Sequence, residues 1–486
     1  MISVWAQQEM ASADFGDERL DARAVMVLTA MGEHPNLSIP AACRGHAEMQ
    51  AAYRFFDNDK VTFQQVLAPH VERTLQRMAE QPVVLLVQDT SELDLTRPGE
   101  QQVAGVGELD RSRRGFLLHE MHAFTPQGTP LGTVWAEQIN RVEGVSHAPA
   151  SQKRQRRKQM PIEQKESLRW LTGLRRAREV AQAMPQTRCI CIADSEGDIY
   201  EWFAEPRAGN GDDSAATPVP IDWLVRAAQD RALEAKEDGR HQHVRDQVLA
   251  TPVLYKVQLQ VRERRAKTAA EDRPRRKTRT AREAHMEVRA ARLTLRPPAR
   301  TDRQLPAVTV NVVLVSEPHP PAGAEAVEWI LVTTLPIGTP EQVRQVVEYY
   351  CVRWSIEILF RTLKSGCRIE RRRFEDVERV LPCLALCLIV AWRTLFVCRL
   401  GRECPDMDCE AAFEPSEWKA VWVAVHQKKP PRKRPRLREM VHLIAGLGGY
   451  IERPGSEPGP QAMWIGLQRM YDLAWAWETF GPEAKR

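Results

Sequence analysis

Apolar positions along the chain change their period several times, and each change predicts an element. Leu20, Ala24, Val27 and Leu28 recur at helical spacing, and a second helical stretch runs from Ala41 to Phe56 after Pro40. The texture then shifts to Pro82-Val-Val-Leu-Leu-Val-Gln-Asp89, a continuous apolar run that predicts a strand buried on both faces and ending at Asp89. Gly115 to Phe124 and Leu131 to Trp135, separated by Pro126-Gln-Gly128, read as neighbouring antiparallel strands. A helix is expected from about Glu163 to Ala183, before Pro185, and Arg188-Cys-Ile-Cys-Ile-Ala-Asp194 reads as a second buried strand ending in aspartate. Five strand-like runs follow, at 224–226, 255–261, 287–295, 308–315 and 329–334, divided by basic and proline-rich loops. Helical spacing returns around Tyr350, at Glu439 to Leu447 and at Gln461 to Phe480. In the last of these Trp464, Leu467, Tyr471 and Trp475 form a stripe suited to a core or a partner interface.

The stretch from Tyr350 to Lys364 carries the most chemistry. At about 100° per residue, Tyr350, Arg353, Glu357 and Lys364 fall within roughly 60° of one another on a continuous helix. Val352, Ile356, Leu359, Phe360 and Leu363 take the opposite, core-seeking face. Taken alone, the polar face has two readings. It is either a solvated surface on which Glu357 pairs with Arg353 or Arg361, or a metal-binding carboxylate flanked by phosphate-binding cations.

Composition narrows the choice only slightly. The chain has 486 residues, 43% hydrophobic and 27% charged, which suits a globular protein of two to four domains. Net charge is +5, from 69 basic against 64 acidic residues, a weak signal as a total. Its distribution says more, because Lys153–Lys158, Arg273–Arg279 and Lys428–Arg438 are dense basic runs, and three in one chain point to a polyanion. Ten cysteines sit at irregular positions without paired CxxC motifs, so buried thiols in a reducing compartment are expected rather than a zinc site. The opening Met-Ile-Ser-Val-Trp-Ala-Gln-Gln-Glu lacks a charged-then-apolar leader. The longest apolar run, Leu381 to Val390, reads as too short and too close to Arg393 to span a bilayer. A cytoplasmic protein is therefore expected.

Two-metal phosphoryl transfer requires carboxylates that hold two ions about 3.5–4 Å apart. Aspartates at the ends of adjacent buried strands, with a helical glutamate packed on the same sheet, supply such a set in Asp89, Asp194 and Glu357. Glu92, Asp94, Glu196, Asp198 and Glu348 compete for the same roles, and either aspartate alone also reads as a turn or helix cap.

With those residues in hand, the pattern Tyr350-x-x-Arg353-x-x-x-Glu357, continued by Lys364, resembles the signature helix of the DDE transposases of the insertion-sequence-four family. Gln88-Asp89-Thr90-Ser91 and Asp194-Ser-Glu-Gly-Asp-Ile199 resemble that family's first and second catalytic segments. Phe15 to Arg19, Ala52 to Phe55, Glu166 to Trp170, Trp329 to Thr334 and Leu447 to Tyr450 extend the likeness nearly end to end. The charged loop 262–282 and the linker near Pro430 depart from it.

The resemblance implies an α/β fold: a ribonuclease-H-like mixed-sheet catalytic core with a β-rich insertion, a helical N-terminal DNA-binding domain and a helical C-terminal domain. It divides the chain at 1–75 (DNA binding), 76–204 and 336–400 (core), 205–335 (insertion) and 401–486 (dimerisation). It implies cut-and-paste transposition of double-stranded DNA by nicking, hairpin formation and resolution, and strand transfer. Asp89, Asp194 and Glu357 would bind two Mg²⁺ ions, with Mn²⁺ as a substitute. Tyr350, Arg353, Lys364 and Arg226 would grip phosphates, Trp329 would receive a flipped base, and Arg19, Arg23 and Arg54 would contact DNA from the N-terminal helices. A homodimer on DNA, no membrane and a nucleoid-associated bacterial location complete the expectation. A catalytically silent DNA-binding derivative and a ribonuclease-H-like nuclease of another purpose are the competing readings.

Overall fold

The computed structural model of the chain describes residues 2–43, 45–99, 101–141, 160–207, 220–234, 242–261, 263, 280–300 and 304–482. The basic runs at 153–158 and 273–279, most of the loop 262–282, and Arg44 lie outside the described residues. Two compact units divide the chain, one formed by Met1–Pro149 with Trp354–Arg486, the other by Ala150–Arg353.

The first unit opens with α1 (Val4–Glu9), α2 (Glu18–Glu33), α3 (Ile39–Ala42), α4 (His46–Phe56) and α5 (Phe63–Ala79). Asp17 caps α2 by accepting from the Arg19 amide at 2.9 Å, and Thr62 with Gln65 forms a capping box at α5. Ala24, Val27 and Leu28 are buried as their spacing predicts. The helix expected over Ala41 to Phe56 is in fact two, because the backbone is extended at Cys43 and Gly45 and interrupts the helical hydrogen bonding. Phe15 and Phe374 meet Phe55 and Phe56 edge-on with centroids 5.6 and 5.5 Å apart, tying these helices to later chain.

The sheet of this unit contains β1 (Val83–Asp94), β2 (Gly107–Glu108), β3 (Arg114–Phe124) and β4 (Pro130–Ile139). Central β3 pairs antiparallel with β1, from Leu85↔Phe124 to Asp94↔Gly115, and on its other edge with β2 and β4. Asp89 was expected to end its strand, but β1 continues for five residues beyond it. The cause is legible afterwards: Ser91, Leu93 and Leu95 are buried while Thr90, Glu92 and Asp94 are half-buried, a period-two alternation that keeps the strand in the sheet.

In the second unit, α6 (Leu168–Ala183) follows a single 3₁₀ turn at Ile162–Gln164, so the helix begins later than Glu163. Next come β5 (Arg188–Ala193), α7 (Tyr200–Ala204), β6 (Asp222–Arg226), α8 (Val244–Leu249), β7 (Tyr255–Val261), β8 (Arg282–Leu295), β9 (Val308–Ser316), β10 (Glu328–Thr333) and α9 (Pro340–Val352). Strand order within this unit is β5-β6-β10-β9-β8-β7. Among the described residues of this unit only β5 and β6 pair in parallel, in register from Ile190↔Asp222 to Ala193↔Val225, so the sheet is mixed and its β-rich stretch grows directly from β5. Trp170, Trp202 and Trp223 are fully buried here.

The chain re-enters the first unit with α10 (Trp354–Arg361), α11 (Val377–Glu403), α12 (Pro415–His426), α13 (Leu437–Leu447) and α14 (Pro460–Phe480). The apolar run read as too short to span a bilayer lies inside α11, a 27-residue helix that by length and composition alone could cross one. The correction concerns length, since 89% of its apolar window is buried within the protein, as a core helix requires. The stripe residues Leu467 and Tyr471 are buried in a cluster with Trp418, Val441 and Ile444, whereas Trp475 remains exposed.

Arg372 is a buried strut of the same unit. It donates to the carbonyls of Pro35 (2.6 Å), Leu37 and Cys367 (3.3 Å) while only 5% exposed. Arg372→Ala strands these acceptors and is expected to cost about 2 kcal/mol, read as a lower urea midpoint at unchanged slope. An unshifted midpoint would show that water replaces the guanidinium without penalty.

Candidate active site

Asp89 lies in the middle of β1, half-exposed, with Oδ1 accepting from the Thr90 amide at 2.7 Å. Neighbouring side chains brace the strand: Thr90 Oγ1 lies 2.8 Å from His119 Nδ1, whose Nε2 lies 3.0 Å from buried Gln88 Oε1. Glu357 is exposed on α10, whose Ile356, Leu359 and Phe360 are buried and which packs against β1. Asp89 and Glu357 thus stand on two elements in contact.

The continuous signature helix is broken in two places. At Arg353 the amide bonds back three residues to Tyr350 at 3.1 Å, separating α9 from α10. At Thr362–Gly366 the turn widens to a π-helix, with the Cys367 amide reaching the Thr362 carbonyl at 3.0 Å. Thr362 Oγ1 bonds the Ile358 carbonyl at 2.9 Å, the back-bonding that bends helices. The common arc computed at 100° per residue therefore does not hold for all four residues. Lys364, within the π turn, donates to the Glu92 carbonyl and lies 3.6 Å from Glu370, which also accepts from the Asp94 amide at 3.0 Å. No periodicity marks Glu370, which reaches β1 from the 3₁₀ turn Ile369–Arg371.

In the second unit Asp194 follows β5 and caps the 3₁₀ turn Ser195–Gly197, accepting from the Glu196 amide at 2.7 Å. Its neighbour Ser195 receives Arg226 Nη2 at 3.1 Å, which brings that guanidinium to the aspartate's own turn. Tyr350 is fully buried and Arg353 only 4% exposed. The guanidinium lies 5.9 Å from the Tyr350 ring centroid, and Trp329, half-buried on β10, lies 6.1 Å from it at 55°. Burial raises the Tyr350 hydroxyl above its ordinary pKa, against the opposing pull of Arg226 and Arg353, so it stays protonated at neutral pH. Asp194, Arg226, Trp329, Tyr350 and Arg353 thus share one unit, and Asp89, Glu357 and Lys364 the other.

Four of the five rival carboxylates are held by arginines. Glu92 pairs with Arg113 at 2.9 Å and Arg141 at 3.5 Å, and Asp94 lies 3.8 Å from Arg113. Glu196 pairs with Arg169 at 2.7 Å, and buried Asp198 with Arg231 at 2.5 Å. Arg19 and Arg54 are exposed on α2 and α4, while Arg23 is half-buried beside Cys43. Within the C-terminal basic run, Arg434, Arg436 and Arg438 pair with Asp408, Asp406 and Glu457, leaving Lys428, Lys429, Arg432 and Lys433 as its exposed charge beyond those pairs.

Three family models match the chain. Residues 217–392 match the transposase DDE domain, 2–61 the transposase DNA-binding domain and 389–475 the Tn5 transposase dimerisation domain. The chain belongs to the DDE transposases, and the matches at its two ends place it among the Tn5-like members of that family. It is accordingly a DNA transposase that carries DNA-binding and dimerisation modules. The DDE match contains Glu357, Tyr350, Arg353, Lys364, Trp329 and Arg226, and begins downstream of Asp89 and Asp194.

DDE domains use divalent metal ions. Asp89, Asp194 and Glu357 offer only hard oxygen donors from side chains that reach the surface, a chemistry that suits Mg²⁺. Among the described residues, no three His, Cys, Asp or Glu side chains are gathered into a metal-holding group.

Proposed function

We propose that this transposase moves DNA by cut-and-paste, with Asp89, Asp194 and Glu357 as the catalytic carboxylates that hold two Mg²⁺ ions. The observation that carries the reading is the DDE-domain match over the Glu357 helix, beside a β1 strand on which Asp89 is half-exposed. Held by these three carboxylates, Mg²⁺ would supply Lewis acidity toward the attacking water or hydroxyl and the leaving oxygen. Arg226, at the Asp194 turn, and Lys364, on the β1 side, hold phosphates beside the carboxylates. Arg353 and Tyr350 form the buried platform against which Trp329 is set, and the Trp329 indole stacks a base displaced as the hairpin forms. Arg19, Arg23 and Arg54 contact the terminal repeat, and two copies assemble on DNA through the C-terminal helices, in the cytoplasm at the nucleoid.

The test is incubation of the full chain with linear duplex carrying the inverted repeats that flank its coding region. Nicking, a hairpin on the element end and joining of the free 3′ end should all require Mg²⁺. Specific binding without nicking would favour a silent regulator, and cleavage without joining a nuclease of another purpose. DNA affinity should also fall steeply with salt, since clustered cations release counterions on binding; a flat dependence would remove the basic runs from the interface.

A further inference from the structure

A second cationic site lies away from the carboxylates, in a cleft of the first unit lined by Gly128, Ser355, Ile358, Arg399, Arg402 and Pro460 among others. Ser355 stands two residues before Glu357, about 200° around α10, so the cleft opens on the other side of that helix. Two side chains converge at Gly128, where a Cβ would lie 3.8 Å from both Arg399 Nη2 and Ser355 Oγ. Among the described residues, neither the Arg399 guanidinium nor the Ser355 hydroxyl has a hydrogen-bond or ion-pair partner. Arg402, one turn along α11, is held by the Pro458 carbonyl with Glu457 at 4.0 Å, so it adds charge while fixed in place. The cleft also meets the start of the 21-residue α14, where Pro460 follows Gly459 and no side chain caps the helix.

Burial, then the nearby Arg402, lowers the Arg399 pKa from its ordinary value, with Cys398 and Glu403 opposing. A partly buried cation that no carboxylate contacts, with Glu403 one turn on acting only at a distance, is unfavourable for the fold alone and favourable for an arriving anion. A guanidinium fork and a hydroxyl are donors that phosphate oxygens accept.

We propose that the Arg399–Ser355 cleft is a phosphoryl-binding site, distinct from the carboxylate site and filled either by a DNA backbone phosphate or by a free phosphate or nucleotide. Only the DNA source rests on the transposase reading.

The test compares full-length wild type with Arg399→Gln. Without phosphate, the variant should melt no lower than wild type, because it loses a partly buried cation that no carboxylate contacts. Inorganic phosphate, at ionic strength matched with chloride, should raise the melting temperature of wild type and not of the variant. In duplex-DNA titrations, a log affinity–log salt slope shallower by about 0.9 in the variant assigns the site to the DNA backbone. An unchanged slope with loss of the phosphate-induced shift assigns it to a free phosphoryl ligand. If both readouts match wild type, the proposal is overturned, whatever the variant's stability. Should glutamine fail to fold, Arg399→Lys serves instead: it keeps the charge but loses the fork, and should weaken phosphate binding several-fold. Wild type that cannot cleave DNA would sink the transposition reading and leave the phosphate measurement standing.

Discussion

Asp89→Asn, Asp194→Asn and Glu357→Gln are each expected to end DNA cleavage while leaving fold and DNA affinity nearly unchanged. Loss of an outer partner of a metal ligand typically costs 10–100-fold; removing a ligand's charge should cost more than about 100-fold. The sites tolerate the changes for separate reasons. Glu357 is exposed, so a glutamine leaves the buried face of α10 untouched. Asparagine at 194 retains the oxygen that accepts the Glu196 amide, and asparagine at 89 retains the one that accepts from Thr90. Salt-dependent binding curves should overlay those of wild type, which separates catalysis from recognition. A variant that nicks within a factor of a few of wild type would strike that residue from the catalytic set. The rival carboxylates provide the control: Glu92→Gln and Glu196→Gln disturb arginine pairs and should lower stability by under about 1 kcal/mol without a comparable loss of cleavage.

How much of this was legible in the residues follows from what carries each signal. Continuous apolar runs such as Val83–Val87 and Cys189–Ala193 are governed by burial alone, and they became buried strands. The extent of β1 was misjudged because Asp89 interrupts the apolar run, whereas the alternation through Ser91, Leu93 and Leu95 continues the strand. Local periodicity could not show the break at Arg353 or the π turn at 362–366. Both are changes in backbone hydrogen bonding, at the Arg353 and Cys367 amides, which the hydrophobic pattern does not record. The length of α11 was hidden for a related reason: Arg393 lies inside a helix whose other faces are core, so its charge reads as the end of the apolar run. Ion-pair commitments such as Glu196 with Arg169 join residues 27 apart and leave no trace in spacing.

Raising the pH from about 4.5 to 8 should weaken the first unit through one carboxyl, Glu417 at the start of α12. It is enclosed among helices, and burial pushes its pKa from 4.5 up to about 8, with Glu414 and Glu33 adding to the rise and the Glu414 amide and Arg393 opposing it. One oxygen accepts from the Glu414 amide at 2.8 Å within a capping box, and Glu414 in turn accepts from the Val4 amide at 2.9 Å. The folded chain thus keeps a proton that the unfolded chain releases above its ordinary value. Between those two pKa values the unfolded state binds fewer protons, so stability declines as pH rises, and the decline ends once the folded carboxyl ionises near 8. At 1.36 kcal/mol per unit, the full shift corresponds to about 5 kcal/mol. Glu417→Gln retains the oxygen that receives the Glu414 amide and cannot ionise. Guanidinium titrations at pH 5 and pH 8 should therefore show wild type losing stability that the variant retains, with the variant the more stable at pH 8. If the two proteins differ equally at both pH values, Glu417 does not titrate in this window, and the link it makes between α1 and the dimerisation helices is insensitive to pH.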